Sequence, residues 1–181
     1  NYSDGIWFDM LNVDTRILDN VIHHNVKAGI HVEVNFGPGI IAGNLCYANG
    51  YGISVVGHPS LDLIRKVAKG EMGDKNEQRF VPKHLKDWID LPDETLWVVN
   101  NTLIENGTGI ATSHNLGTSR FGQTRRLANV QVMNNLFIRN GQPESDQRMG
   151  KYVDLRFWMH ADKNGKREPG KNCHSDYNVF A

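Results

Sequence analysis

Three observations predict that this chain is all-β, folded as a right-handed parallel β-helix (a solenoid) with two loop-and-helix insertions. A glycine-led strand motif is written three times, at Gly5-Ile-Trp-Phe-Asp9-Met, Gly29-Ile-His-Val-Glu33-Val and Gly52-Ile-Ser-Val-Val56-Gly, and its glycines lie 24 and 23 residues apart. An asparagine corner motif recurs beside it. The third observation is that the hydrophobic runs between corners are only a few residues long, too short for helices and right for short stacked strands. A period in the twenties means one supersecondary unit per repeat, stacked because none can bury its apolar face alone.

Within the glycine motif the alternation is strict. Ile6, Phe8 and Met10 take one strand face, and Trp7 and Asp9 the other; Ile30, Val32 and Val34 repeat the first face, and His31 and Glu33 the second. Stacking of the repeats would place Ile6, Ile30, Ile53 and Ile110 in one interior column. The corner motif runs from Asp19-Asn20 to Asn25, then Gly43-Asn44 to Asn49. It returns as Asn100-Asn101 to Asn106, as Asn134-Asn135 to Asn140, and as Tyr177-Asn178. Asn tolerates left-handed backbone angles and can hydrogen-bond along a stack of like turns. Cys46 falls where other copies carry Ile22, Leu103 and Phe137, which predicts a core thiol. Cys173 has no CxxC partner, so no disulfide framework is expected.

Two stretches break the period, at 60–94 and 142–171. In the first, Ser60 as N-cap, Gly70 as stop and Leu61, Ile64 and Val67/Ala68 at helical spacing predict a short helix. After a polar segment, Pro82 to Asp90 is a second helical candidate. The second insertion is charged and interrupted by Pro143, Gly150, Gly165, Pro169 and Gly170; its alternating Val153–Met159 knot predicts an extra strand. Insertions in a solenoid gather on one face and build binding sites. The whole of 1–181 is expected to be a single domain.

The chain has 20 basic and 20 acidic residues, so no global field draws it to nucleic acid or to an anionic membrane. No apolar run is long enough to span a bilayer. Neutral oligosaccharides suit such a surface. The compartment is not legible directly; a secreted or periplasmic setting is expected before the cytoplasm.

If the repeats stack, Asp9 and Glu33 stand one above the other on neighbouring strands, ~4.8 Å apart. Like charges that close are unfavourable in a structural sheet, so the pair is the candidate catalytic site. Trp7 and His31 flank it. A flat apolar platform beside two close carboxylates is what a sugar subsite needs. His58, after the third strand, and His114 and Arg120, on a later loop with Arg125 and Arg126, are further candidate substrate contacts. Asn12 and Asn35 read as turn residues. His23 and His24 are adjacent on a strand, where side chains point opposite ways, and make a poor metal pair. No cluster has metal-ligand spacing. No cofactor is expected, though a structural Ca²⁺ on loop carboxylates is compatible with the composition.

The segment Gly5-Ile-Trp-Phe-Asp9 … Asp14-Thr-Arg16-Ile-Leu … Asn20 … Val32-Glu33-Val-Asn35-Phe-Gly37-Pro38 … Asn44 resembles glycoside hydrolases built on a right-handed β-helix, namely the family 120 β-xylosidases and their relatives. The resemblance covers about residues 4–45 and is weak beyond them. It implies that Asp9 is the nucleophile and Glu33 the acid/base of a retaining hydrolysis. The family's usual His before Gly-Pro is Phe36 here, and Met10 stands where an aromatic is common, departures that bear on the sugar more than on the mechanism. Family members are much longer, so further N-terminal coils are expected. An uncapped coil end exposes strand edges, so self-association as a homo-oligomer is also expected.

Two rival readings differ in chemistry. A β-helical polysaccharide lyase or epimerase would need Lys, Arg or Ca²⁺ to neutralise a uronate, and the outward columns of the first three strands offer Trp, Asp, His and Glu instead. A carbohydrate-binding or adhesin β-helix would bind without turnover and leave the stacked acids without a purpose.

Overall fold

The computed structural model describes residues 2–9, 12–35, 37–85, 95–113, 127–141, 155–157, 160–161, 167–168 and 172–181. The chain visits three parallel sheets in rotation. It passes through β1 (Ile6–Phe8), β2 (Thr15–Leu18) and β3 (Val21–His23), one strand for each sheet. It returns through β4 (Ala28–Glu33), β5 (Gly39–Ala42) and β6 (Leu45–Tyr47), each parallel to and in register with the strand one round earlier. β7 (Tyr51–Val56) starts a third round, which two helices interrupt: α1 (Leu61–Ala68) and α2 (Lys75–Leu85). β8 (Leu96–Val99) and β9 (Thr102–Ile104) complete it. β10 (Thr108–Ser113), β11 (Val130–Met133) and β12 (Leu136–Ile138) follow, then β13 (Leu155–Phe157). A two-stranded antiparallel pair, β14 (His160–Ala161) with β15 (Arg167–Glu168), precedes β16 (His174–Asp176) and β17 (Val179–Phe180). The three sheets are therefore β1-β4-β7-β10-β13, β2-β5-β8-β11-β16 and β3-β6-β9-β12-β17.

All three sheets contribute to one apolar core. In the first sheet Ile6, Ile30, Ile53 and Ile110 pair in register, and the last three are fully buried. Ile17, Ile41, Val98 and Val132 form the matching column of the second sheet. Ile22, Cys46, Leu103 and Phe137 form that of the third.

The corners explain why the repeat is spelled in Asn and Gly. Two ladders run the length of the stack. Asn20, Asn44, Asn101 and Asn135 each pass a side-chain amide hydrogen bond to the next member at 2.9–3.0 Å, the series ending on Asn178. Asn25, Asn49 and Asn106 do the same at the next corner, ending on Asn140. The left-handed backbone angle falls one residue earlier than expected. Asp19, Gly43, Asn100, Asn134 and Tyr177 adopt it, while the ladder Asn turns its amide inward along the stack. The repeat glycine is demanded by close approach. A Cβ on Gly29 would lie 2.8 Å from the Gly52 carbonyl oxygen, and one on Gly52 would lie 2.5 Å from that of Gly109.

The first insertion is helical, with one boundary displaced. Ser60 caps α1 by accepting from the Leu63 N–H, as expected. α2 begins at Lys75, inside the polar segment before Pro82, because Asp74 and Glu77 form a reciprocal capping box. Residues 86–94 lie outside the described residues. The helices pack Ile64, Val67 and Val81 against Val34, at the corner that follows β4. In the second insertion the expected extra strand is β13, added to the edge of β10; the antiparallel β14–β15 pair was not anticipated. No helix among the described residues is long and apolar enough to cross a membrane.

Candidate active site

The site lies on the outward face of the first sheet, where β1 and β4 run side by side. Ile6, Phe8, Ile30 and Val32 turn to the core, which forces the alternate residues outward. Trp7 pairs with His31 and Phe8 with Val32; Asp9 is the residue just beyond the last pair, as Glu33 is just beyond Val32. Trp7 is 56% exposed, Asp9 is exposed, and Glu33 and His31 are half-buried. The indole and the imidazole meet edge to face, centroids 6.2 Å apart at 74°. The arrangement thus presents an apolar ring beside two acidic side chains on adjacent strands.

Two backbone features hold the acids. The Asn12 side-chain amide donates to the Asp9 carbonyl oxygen and, at 3.4 Å, to that of Glu33, tying the ends of the two strands together. Directly after Glu33, Val34 sits at φ 50°, a left-handed angle that a β-branched residue rarely adopts. Its N–H donates to the Val56 carbonyl oxygen at 2.8 Å, and its side chain is buried under α1 and α2. The insertion therefore props the corner that carries Glu33.

The described structure adds one residue that sequence reasoning passed over. Asp4 accepts from the Ala28 N–H at 2.9 Å and stands 3.8 Å from His31 Nδ1. On the other side of the ring, Nε2 lies 4.0 Å from Glu33 Oε2. The signal was available: the other glycine motifs are preceded by Ala28 and Tyr51, so an acid before Gly5 is out of pattern.

His58 is corrected. It has no exposed surface, so it does not reach a sugar from this position. Its Nδ1–H donates to the Asn35 carbonyl oxygen at 2.9 Å. Asn12 bridges to Asn35, and His58 sits one round beyond, so the imidazole fills an Asn-like place in a third, shorter corner stack. His114, Arg120, Arg125 and Arg126 lie outside the described residues, as do Met10 and Phe36. His23 and His24 do not point apart. His24 takes φ 56° and swings its ring back, bringing the two Nδ1 atoms to 2.8 Å, with His23 stacked on Tyr47. Among the described residues no group of three or more His, Cys, Asp or Glu side chains is placed to hold a metal ion.

No family model, curated protein or solved structure matches this chain.

Proposed function

We propose that the three sheets wind as a right-handed parallel β-helix and that the chain carries the catalytic pair of a retaining glycoside hydrolase resembling the family 120 β-xylosidases. One observation carries the reading: the Trp7–His31 and Phe8–Val32 register, which leaves Asp9 and Glu33 at one level on neighbouring parallel strands. Carboxyl groups held about one strand spacing apart, ~5 Å, suit double displacement, whereas inversion needs ~6.5–9.5 Å to seat a water. Asp9 attacks the anomeric carbon while Glu33 protonates the departing oxygen. Glu33 then takes a proton from water, which attacks the glycosyl–Asp9 ester and releases the sugar with its configuration retained. Trp7 offers its exposed ring as the sugar platform.

The test is hydrolysis of aryl β-xylosides and related nitrophenyl glycosides by the chain and by any longer parent. Asp9→Asn should abolish turnover. Glu33→Gln should spare substrates whose leaving groups need no protonation, and added azide should yield a glycosyl azide of retained configuration. An inverted azide would mean the two roles are exchanged. Full activity in the Asp9 variant would remove the pair from the mechanism, and tight oligosaccharide binding without turnover would favour the carbohydrate-binding reading.

A further inference from the structure

Asparagine followed by glycine is among the least durable steps in a protein chain, because no side chain keeps the glycine nitrogen away from the asparagine amide carbon. The sequence has four such steps, Asn49-Gly50, Asn106-Gly107, Asn140-Gly141 and Asn164-Gly165. The last lies outside the described residues. The other three share one place in the fold, since each asparagine belongs to the second ladder.

At these corners both reacting groups are tied down. Loss of the amide needs the glycine nitrogen to shed its proton and close on the side-chain carbonyl carbon. The Gly50, Gly107 and Gly141 N–H groups instead donate to the carbonyl oxygens of Asn25, Asn49 and Asn106, one round earlier, at 3.0, 2.9 and 2.8 Å. The Asn49 amide donates to Ile22 and Asn106, and its Oδ1 accepts twice from Asn25. The Asn106 amide donates to Cys46 and Asn140, and its Oδ1 accepts twice from Asn49. Asn140 accepts twice from Asn106 and donates to Leu103. Asn49 and Asn106 are buried, whereas Asn140 is half-buried.

We propose that these three corners are latent deamidation sites, silenced by the ladder and unmasked one round at a time as the stack opens, with Asn140 reacting first. In an opened corner the Gly141 nitrogen gives its proton to water and attacks Cγ of Asn140. The side-chain nitrogen takes up a proton and leaves as ammonia. Water then opens the resulting cyclic imide at either carbonyl, leaving aspartate or isoaspartate. Neither product rejoins the ladder as before. At position 106 aspartate would set a carboxylate oxygen against the Asn140 Oδ1 and the Cys46 carbonyl, acceptor against acceptor. Isoaspartate adds a backbone carbon at a corner whose register is fixed by both neighbouring rounds. The step is therefore a one-way mark on a round that has opened, and it does not depend on the proposed activity.

The test compares the folded chain with the same chain in urea, both held at mildly alkaline pH in isotopically labelled water and read by peptide mass spectrometry. In urea the three steps should convert alike. In the folded chain Asn49 and Asn106 should convert at least about a hundredfold more slowly than in urea, with Asn140 in between. Asn25→Ala removes an amide donor from Asn49 and keeps the backbone bonds. It should speed Asn49 about tenfold, the weight of one net hydrogen bond, and leave Asn106 unchanged; far-ultraviolet dichroism checks that the variant is folded. Conversion of folded Asn49 or Asn106 as fast as in urea overturns the silencing. Asn140 slower than both overturns the order. Equal acceleration of all three by Asn25→Ala overturns release by rounds, and none at Asn49 overturns the ladder as its cause.

Discussion

Cys46 stands between Ile22 and Leu103 in the inner column of the third sheet and has no exposed surface. Burial pushes its thiol up from an ordinary 9.0 to about 12. The sign of the linkage follows. The unfolded chain ionises this thiol above pH 9 while the fold keeps it neutral, so the contribution is whole below pH 9 and is lost as pH rises toward 12. The shift corresponds to a loss on the order of 4 kcal/mol across that window. Urea unfolding of wild type and Cys46→Val, followed from pH 8 to pH 11, should show a steeper loss of stability in wild type. Parallel slopes would mean the thiol is not held neutral. The thiol's burial was legible because its place in the repeat named its neighbours. Asp4 was not, since its place in the site depends on a hydrogen bond to Ala28 in the next round and on a ring two positions past Gly29. His58 was misread for the same reason: Asn35 and Asn12, which define its corner, occur once per round but not in a matching sequence context.

At the scale of elements, the ladder is where sequence and structure agree most closely, because each rung repeats the same chemistry. Asn101 accepts from both the N–H and the side-chain amide of Asn44, and donates to Ile41, Val99 and Asn135. Removing it orphans buried groups above and below, each worth about 1–3 kcal/mol. Asn101→Ala should therefore destabilise the protein by roughly 3 kcal/mol, and Asn178→Ala, at the last rung, by about 1 kcal/mol. Denaturant midpoints would show the contrast, and equal effects at both positions would mean that the rungs do not act as a continuous ladder. What the sequence could not locate was the left-handed residue. Asp19, His24, Ala48, Glu105 and Arg139 all occupy that angle at these corners, and only the stack makes such varied side chains tolerable there. The start of α2 was hidden likewise, since Asp74 and Glu77 become a cap only when their backbone and side-chain bonds are seen together.

At the scale of the molecule, each strand of the three main sheets leans on the rounds before and after it. β1, β2 and β3 have a described partner on one side only, and so do β13, β16 and β17 at the other end. The last rounds also leave Tyr177, Val179 and Phe180 exposed, whereas Cys46, Leu103 and Phe137 inside the stack are fully buried. In such an array stability is close to a sum of repeat terms and nearest-neighbour interfaces, and partial opening from an end breaks fewer interfaces than opening in the middle. Amide exchange should therefore be graded along the stack. In the 181-residue chain on its own, the N–H groups of β6 and β9 should be the slowest of the third sheet, and those of β3 and β17 the fastest, by about a hundredfold, the ratio for one interface worth ~3 kcal/mol. The first sheet should depart from this gradient near Glu33, because α1 and α2 pack on Val34 and add an interface that the period alone does not supply. Ile64→Ala, which thins that packing, should speed exchange at Val34 and at Glu33 while leaving β6 and β9 protected. Uniform protection from end to end would mean that the rounds open only together, and acceleration reaching β9 would mean that the insertion supports the whole stack rather than the corner beneath it.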